Sequence, residues 1–178
     1  FEDVFVPDDY LVGERGKGFQ YISEALDLER FTMFTLSPIA GRTKVLVDYA
    51  KTTSRDDQPI RENPNTRRLL ANIVTDTAVA KALSTRFLCA AKSGGKPPTI
   101  QSSQYKLFTT SLSQRVCDEA LDITGVAGTI REGQEIAPLL GRFEGAYRAT
   151  MNETVGGGSS EIQKNIISRR HLGLPKNF

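Results

Sequence analysis

The 178-residue sequence has no tryptophan, a single histidine, two cysteines and two methionines. With His171 alone, neither a zinc cluster nor a Ser-His-Asp arrangement can be assembled, and a histidine near an expected helix C-terminus is favoured there by the helix dipole. Two cysteines make no disulfide framework, so Cys89 and Cys117 are expected as reduced, packed small hydrophobes on helices. No apolar run reaches membrane-spanning length. The net charge of +2 gives no pull toward nucleic acid, and Arg67, Arg68, Lys81 and Arg86 are spread along one helix as a solvated face. What is present is ordinary for a globular domain with a sizeable core, 39% hydrophobic and 25% charged residues.

Element signals are mostly helical. The opening FEDVFVP alternates like a strand and ends in Pro7-Asp8-Asp9 turn chemistry. A lone strand has nothing to pair with, so the chain is expected to be a piece of a longer protein. Apolar residues at helical spacing (Ile22, Ala25, Leu26, Phe31, Phe34) run from about Phe19 to Lys51, and Pro38 predicts a kink or break within that run. Thr52 to Glu62 reads as a loop, and Asn63-Pro64 as an N-cap with proline in the first turn. Leu69, Leu70, Ile73, Val74, Thr77, Ala80, Leu83 and Phe87 mark a long amphipathic helix that Gly94-Gly95 ends. Further helices are expected over Ile100–Ile123, near Gly141–Glu153 and over Ser159–Arg170. Long helices with short connections predict an all-α, up-and-down bundle.

Two features point to chemistry. TVGGGSSEIQ, Thr154–Gln163, places three glycines before a helix start, a geometry that presents backbone N–H groups to an anion. Glu161 in it also reads as a capping residue accepting backbone donors. Glu29, in ALDLERF, is either a surface ion-pair partner or a site carboxylate.

Four segments, in order, carry a family resemblance. FEDVFVPDDYLVGERGKGF, ALDLER, LDITGVAG and GGGSSEIQKNIISRR resemble the C-terminal helical domain of an acyl-CoA dehydrogenase over essentially the whole chain. The resemblance implies that residues 1–15 end a middle β-domain and its linker, that 16–178 form the bundle, and that this piece alone is inactive, since the family's other domains complete the flavin and acyl pockets. It implies FAD as cofactor, an acyl-CoA substrate oxidised to the 2,3-enoyl-CoA, an electron-transfer flavoprotein as acceptor, and a homo- or hetero-oligomer. It also implies a cytoplasmic location in a bacterium, or the mitochondrial matrix in a eukaryote.

Many family members carry the catalytic base where this chain has Gly157. A second branch of the family, of the isovaleryl- and long-chain type, places it on the first bundle helix directly before an arginine, as Glu29 stands before Arg30. The resemblance therefore makes Glu29 the base that takes the α-proton while a β-hydride moves to the flavin. Asp27, Arg30, Gly157 and Gly158 fall on the substrate side, with the backbone N–H at the Gly157 position among the donors to the thioester oxygen. Arg55, Asp122, Gly125, Gly128, Ser159, Ser160 and Glu161 match flavin-contacting positions.

Two loops depart from the family pattern. Arg55 lacks the Phe-Gly pair that follows it in the family and is followed by Asp56-Asp57, while Asp122 and Val126 replace a Gln and a Gly. Carboxylates beside a diphosphate repel it. These loops reach a neighbouring subunit's flavin in the family, so pairing with a different subunit, or a non-catalytic scaffold role in such a heteromer, is the alternative expectation.

Overall fold

The computed structural model describes residues 1–95 and 97–175, so Lys96 and residues 176–178 of the expected bundle lie outside the described part. Six α-helices follow one another: α1 (Gly18–Met33), α2 (Leu36–Thr52), α3 (Pro64–Lys92), α4 (Thr99–Thr124), α5 (Arg142–Thr150) and α6 (Ser160–Arg170). α4 is the central rod, packed against all five others.

The break expected at Pro38 is a complete one. Phe34 and Thr35 leave helical geometry, with Thr35 extended at φ −71°, ψ 151°, and α2 restarts at Leu36. Pro38 therefore sits in the first turn of a new helix, where its missing N–H costs no hydrogen bond. α2 buries Ile39, Thr43, Leu46 and Ala50, one stripe at helical spacing. α3 buries Thr66, Leu69, Ile73, Ala80 and Phe87, while Arg67, Arg68, Lys81 and Arg86 are exposed as the solvated face. Asn63 caps α3 as its sequence indicates, accepting from the N–H groups of Asn65 at 2.9 Å and Thr66 at 3.1 Å.

α4 is buried without being apolar. Thirteen of its 26 residues are buried, and these include Ser102, Ser103, Lys106, Thr109, Thr110, Ser113 and Thr124. The helix itself satisfies the buried threonine hydroxyls: Thr109 donates to the Tyr105 carbonyl at 2.8 Å, Thr110 to that of Lys106 at 2.9 Å and Thr124 to that of Ala120 at 2.8 Å. Small polar side chains let the surrounding helices approach closely, and Leu46, Ile73, Leu112 and Val116 fill the space between.

Four expectations are corrected. Phe1–Pro7 forms no strand; it is exposed and runs into a 3-10 turn at Asp8–Tyr10, because among the described residues no second strand offers it a ladder. The loop after α2 instead holds a two-stranded antiparallel hairpin, β1 (Ser54–Arg55) and β2 (Gln58–Pro59). Its two-residue turn is Asp56-Asp57, both at positive φ (51° and 59°), a conformation aspartate tolerates and a type I′ hairpin requires. Cys89 is exposed on the outer face of α3, whereas Cys117 is buried as expected, its thiol pushed up to about 11 by burial.

The fourth correction concerns α1, whose one buried residue is polar, Asp27. Its apolar stripe faces outward: Phe19 is 86% exposed and Ile22 54%. Phe31 turns inward, stacking on Phe87 with ring centroids 3.9 Å apart and lying beside Tyr105 at 4.8 Å. No helix among the described residues is long and apolar enough to cross a membrane.

Candidate active site

Asp27, Glu29 and Arg30 occupy the C-terminal half of α1 with distinct surroundings. Asp27 is consumed by structure. One carboxylate oxygen pairs with Arg30, three residues on, and the other accepts from the Thr99 hydroxyl at the start of α4. The Asp27 carbonyl accepts from Ser102 Oγ at 2.6 Å. This one residue therefore fastens α1 to α4. Glu29 lies about 200° further round the helix and so faces elsewhere. It is half-buried, its carboxylate forms no ion pair or hydrogen bond among the described residues, and its neighbour Arg30 is engaged by Asp27. The surface ion-pair alternative for Glu29 is thus not realised within the described chain.

The segment ahead of α6 is a glycine turn held from inside. Gly157 and Gly158 have φ of +64° and +91°, which side-chain-bearing residues rarely adopt. A Cβ on Gly157 would stand 2.8 Å from the Phe34 ring, which occupies the space a side chain there would need. Gln163, fully buried on α6, donates through Nε2 to the Gly157 carbonyl at 3.2 Å and the Gly158 carbonyl at 3.1 Å. Lys106, fully buried at the heart of α4, donates to the Gly158 carbonyl at 2.7 Å and lies 5.1 Å from the Phe34 ring centroid. In a trans peptide the C=O and the following N–H point in opposite directions. Anchoring the Gly157 and Gly158 carbonyls inward therefore turns the Gly158 and Ser159 N–H groups away from the core. The N–H groups of Gly157, Gly158, Ser159 and Ser160 find no acceptor among the described residues.

Ser159 is the N-cap of α6, its hydroxyl accepting from Ile162 N–H at 3.4 Å. Glu161 sits one position short of the reciprocal capping-box site. Its carboxylate is held below the usual range first by its own backbone N–H and then by Ser159. It is a local anion at the helix start, where the dipole favours it.

The remaining expected flavin positions form a second group at the far end of α4. Arg55 Nη2 donates to the Ile123 carbonyl at 2.9 Å and packs against Gly125, the C-cap residue, at φ +71°. Gly128 is buried where a Cβ would collide with Thr124 Oγ1, and Asp122 is exposed. At 1.5 Å per residue, Lys106 and Gly125 stand about 28 Å apart along α4, so the two groups cannot line one small pocket.

Lys106, Gln163 and Phe34 were not read as site residues from the sequence, where Phe34 entered only as part of a helical stripe and Gln163 only as the end of the glycine segment. Lysine in QSSQYKLFTT looks like a surface residue of a polar helix, and only its depth in α4 gives it a role.

Gly157→Ala is expected to destabilise the chain by roughly 2 kcal/mol, combining the left-handed backbone with displacement of Phe34. Thermal unfolding should show a midpoint lowered by about 4–8 °C. Gly145→Ala, on a helix with open space around it, should be neutral or stabilising. Equal midpoints for the two variants would remove the Phe34 packing argument.

A central helix wrapped by five others, with an outward-facing glycine turn feeding the last of them, defines an all-α helical-bundle domain. More particularly, residues 16–172 match the family model for the acyl-CoA dehydrogenase C-terminal domain, and the chain belongs to that family.

It is 30% identical to the acyl-CoA dehydrogenase FadE26 of Mycobacterium tuberculosis, over 99% of this chain and 45% of that protein. It is 32% identical to the acryloyl-CoA reductase (NADH) of Anaerotignum propionicum, over 95% of this chain and 41% of that one. Among solved structures it resembles a chain of the ChsE4-ChsE5 complex of Mycobacterium tuberculosis, with TM-score 0.84, 27% identity and coverage of 97% of this chain and 44% of that one. The chain thus spans less than half the length of the relatives it matches.

Proposed function

We propose that this chain supplies one wall of the active site of a FAD-dependent acyl-CoA dehydrogenase, with Glu29 as the base that removes the α-proton of an acyl-CoA thioester. The observation that carries the reading is the joint presence of a Glu29 carboxylate and of N–H donors from Gly157 to Ser160 that have no partner among the described residues, with no side chain at Gly157. An α-proton is weakly acidic, and its removal builds negative charge on the thioester oxygen. Donors fixed before the reaction stabilise that charge without reorganising, and a Glu29 oxygen receives the proton. The exposed apolar stripe of α1, with Phe19 and Ile22, offers a surface that keeps water from the acyl chain once covered.

The start of α6 fits a flavin beside this turn: the Ser160 N–H would face it, with Ser159 and Glu161 flanking. FAD, when bound, supplies the acceptor for the β-hydride.

Addition of acyl-CoA thioesters of graded chain length and branching to the intact, flavin-loaded protein should bleach the flavin with at least one of them. A protein that holds flavin yet is bleached by none would overturn the reading. Onward transfer of electrons to an electron-transfer flavoprotein belongs to the same proposal; a relative 26% identical is the CarC subunit of the caffeyl-CoA reductase-Etf complex of Acetobacterium woodii.

A second reading, a scaffold subunit in a heteromer, is favoured by the hairpin. Gly125, with Arg55, Asp122 and Gly128 at the same end, lies about 28 Å along α4 from Lys106, and the Asp56-Asp57 tip brings two carboxylates to that end. Flavins counted per subunit decide it, and one flavin per subunit in a homo-oligomer excludes it.

A further inference from the structure

Lys106 is a buried cation without a carboxylate partner at ion-pair distance among the described residues. Its charge faces Arg30 of α1, Glu161 of α6 and Glu153 of the turn that follows α5. Burial first, then Arg30, pushes its ammonium below the ordinary lysine range, while Glu161 and Glu153 pull the other way. Burying an uncompensated charge is unfavourable, so its placement calls for a reason beyond packing. The Gly158 carbonyl does not need it, because Gln163 already donates there at 3.1 Å.

We propose that Lys106 is a positioning residue of the thioester site. Its buried ammonium locks the Gly157–Ser159 turn with the N–H groups outward and lends them positive potential, so that the oxygen of a bound acyl thioester is polarised more strongly. The proposal rests on the acyl-CoA dehydrogenase reading above. The mechanism is local. Lys106 Nζ draws on the Gly158 carbonyl, and the Ser159 N–H belongs to the same peptide unit, so polarising one end strengthens the donor at the other. Gln163 does the same for the unit joining Gly157 to Gly158. The Phe34 ring confines the ammonium, and it also closes the space beside Gly157 that a side chain would occupy. One aromatic residue at the end of α1 thus shapes both sides of the turn.

The test uses the intact, flavin-loaded protein and the CoA thioester of 4-dimethylaminocinnamic acid, a push-pull chromophore whose absorption moves to longer wavelength as its carbonyl is polarised. Lys106→Met should fold, because Gln163 still satisfies the Gly158 carbonyl. It should bind the probe within about threefold of the wild-type affinity, show a smaller red shift, and reduce its flavin roughly 10- to 100-fold more slowly. That is less than the loss from deleting a direct oxyanion donor. If the methionine variant does not fold, Lys106→Gln is read the same way.

A full red shift and wild-type reduction rate in either folded variant overturn the proposal. So does failure of both variants to fold, which would make the lysine structural. A wild-type protein that holds flavin but neither shifts the probe nor bleaches overturns the acyl-CoA reading, and the role of Lys106 with it.

Discussion

Glu29→Gln, in the intact flavin-loaded protein, is expected to bind flavin and acyl-CoA as the wild type does and to slow substrate bleaching of the flavin about 10²- to 10⁴-fold. The substitution keeps size and polarity and removes the proton-accepting oxygen charge. It should be nearly silent in stability, within roughly 0.5 kcal/mol, because the Glu29 carboxylate has no ion pair or hydrogen bond among the described residues to lose. The large kinetic effect and the small structural one are what separate a base from a packing residue. Stopped-flow reduction with a saturating acyl-CoA is the measurement, and bleaching at near wild-type rate would dismiss Glu29. The surroundings leave few substitutes nearby. Both oxygens of Asp27 are engaged by Arg30 and Thr99, Glu161 is exposed at the start of α6, and Gly157 has no side chain.

Asp27→Ala carries the largest expected stability loss, about 3–5 kcal/mol, because it strands the part-buried Arg30 guanidinium. Arg30 already has a buried Nε without a partner among the described residues, and Lys106 lies close enough to feel its charge. Two neighbouring cations would then face each other with their carboxylate gone. Thr99 also loses the acceptor that ties the first turn of α4 to α1. For a chain of this length the thermal midpoint should fall by roughly 10 °C. Arg30→Met added to Asp27→Ala should recover much of the loss, since the stranded cation is then removed. Urea unfolding of the single and double variants measures that coupling. A single variant within about 1 kcal/mol of wild type would show that Asp27 does not hold α1 in place.

These two carboxylates stand two residues apart in ALDLERF and look equivalent in sequence. Resemblance alone places both in the site, one on the substrate side and one as base. The tertiary structure separates them, because α1 presents Asp27 to α4 and leaves Glu29 uncommitted. The helical periodicity of α2 and α3, the cap at Asn63 and the break before Pro38 are local effects, and they were legible as such. The strand reading of FEDVFVP failed for a non-local reason. An alternating pattern states a preference, and a strand exists only where another offers it hydrogen bonds. The hairpin at Asp56-Asp57 was hidden because two aspartates are a less familiar type I′ turn than Asn-Gly.

By itself the sequence determined the bundle, since apolar spacing and caps act within a few residues of one another, and it located the glycine turn, since three successive glycines mark special backbone wherever they fall. Tertiary structure alone decided what holds that turn. Lys106 and Gln163 reach it from α4 and α6, across separations of 52 and 5 residues to Gly158. A lysine in a polar helix is ordinary until packing takes it from water, and the burial of that charge depends on every helix around α4.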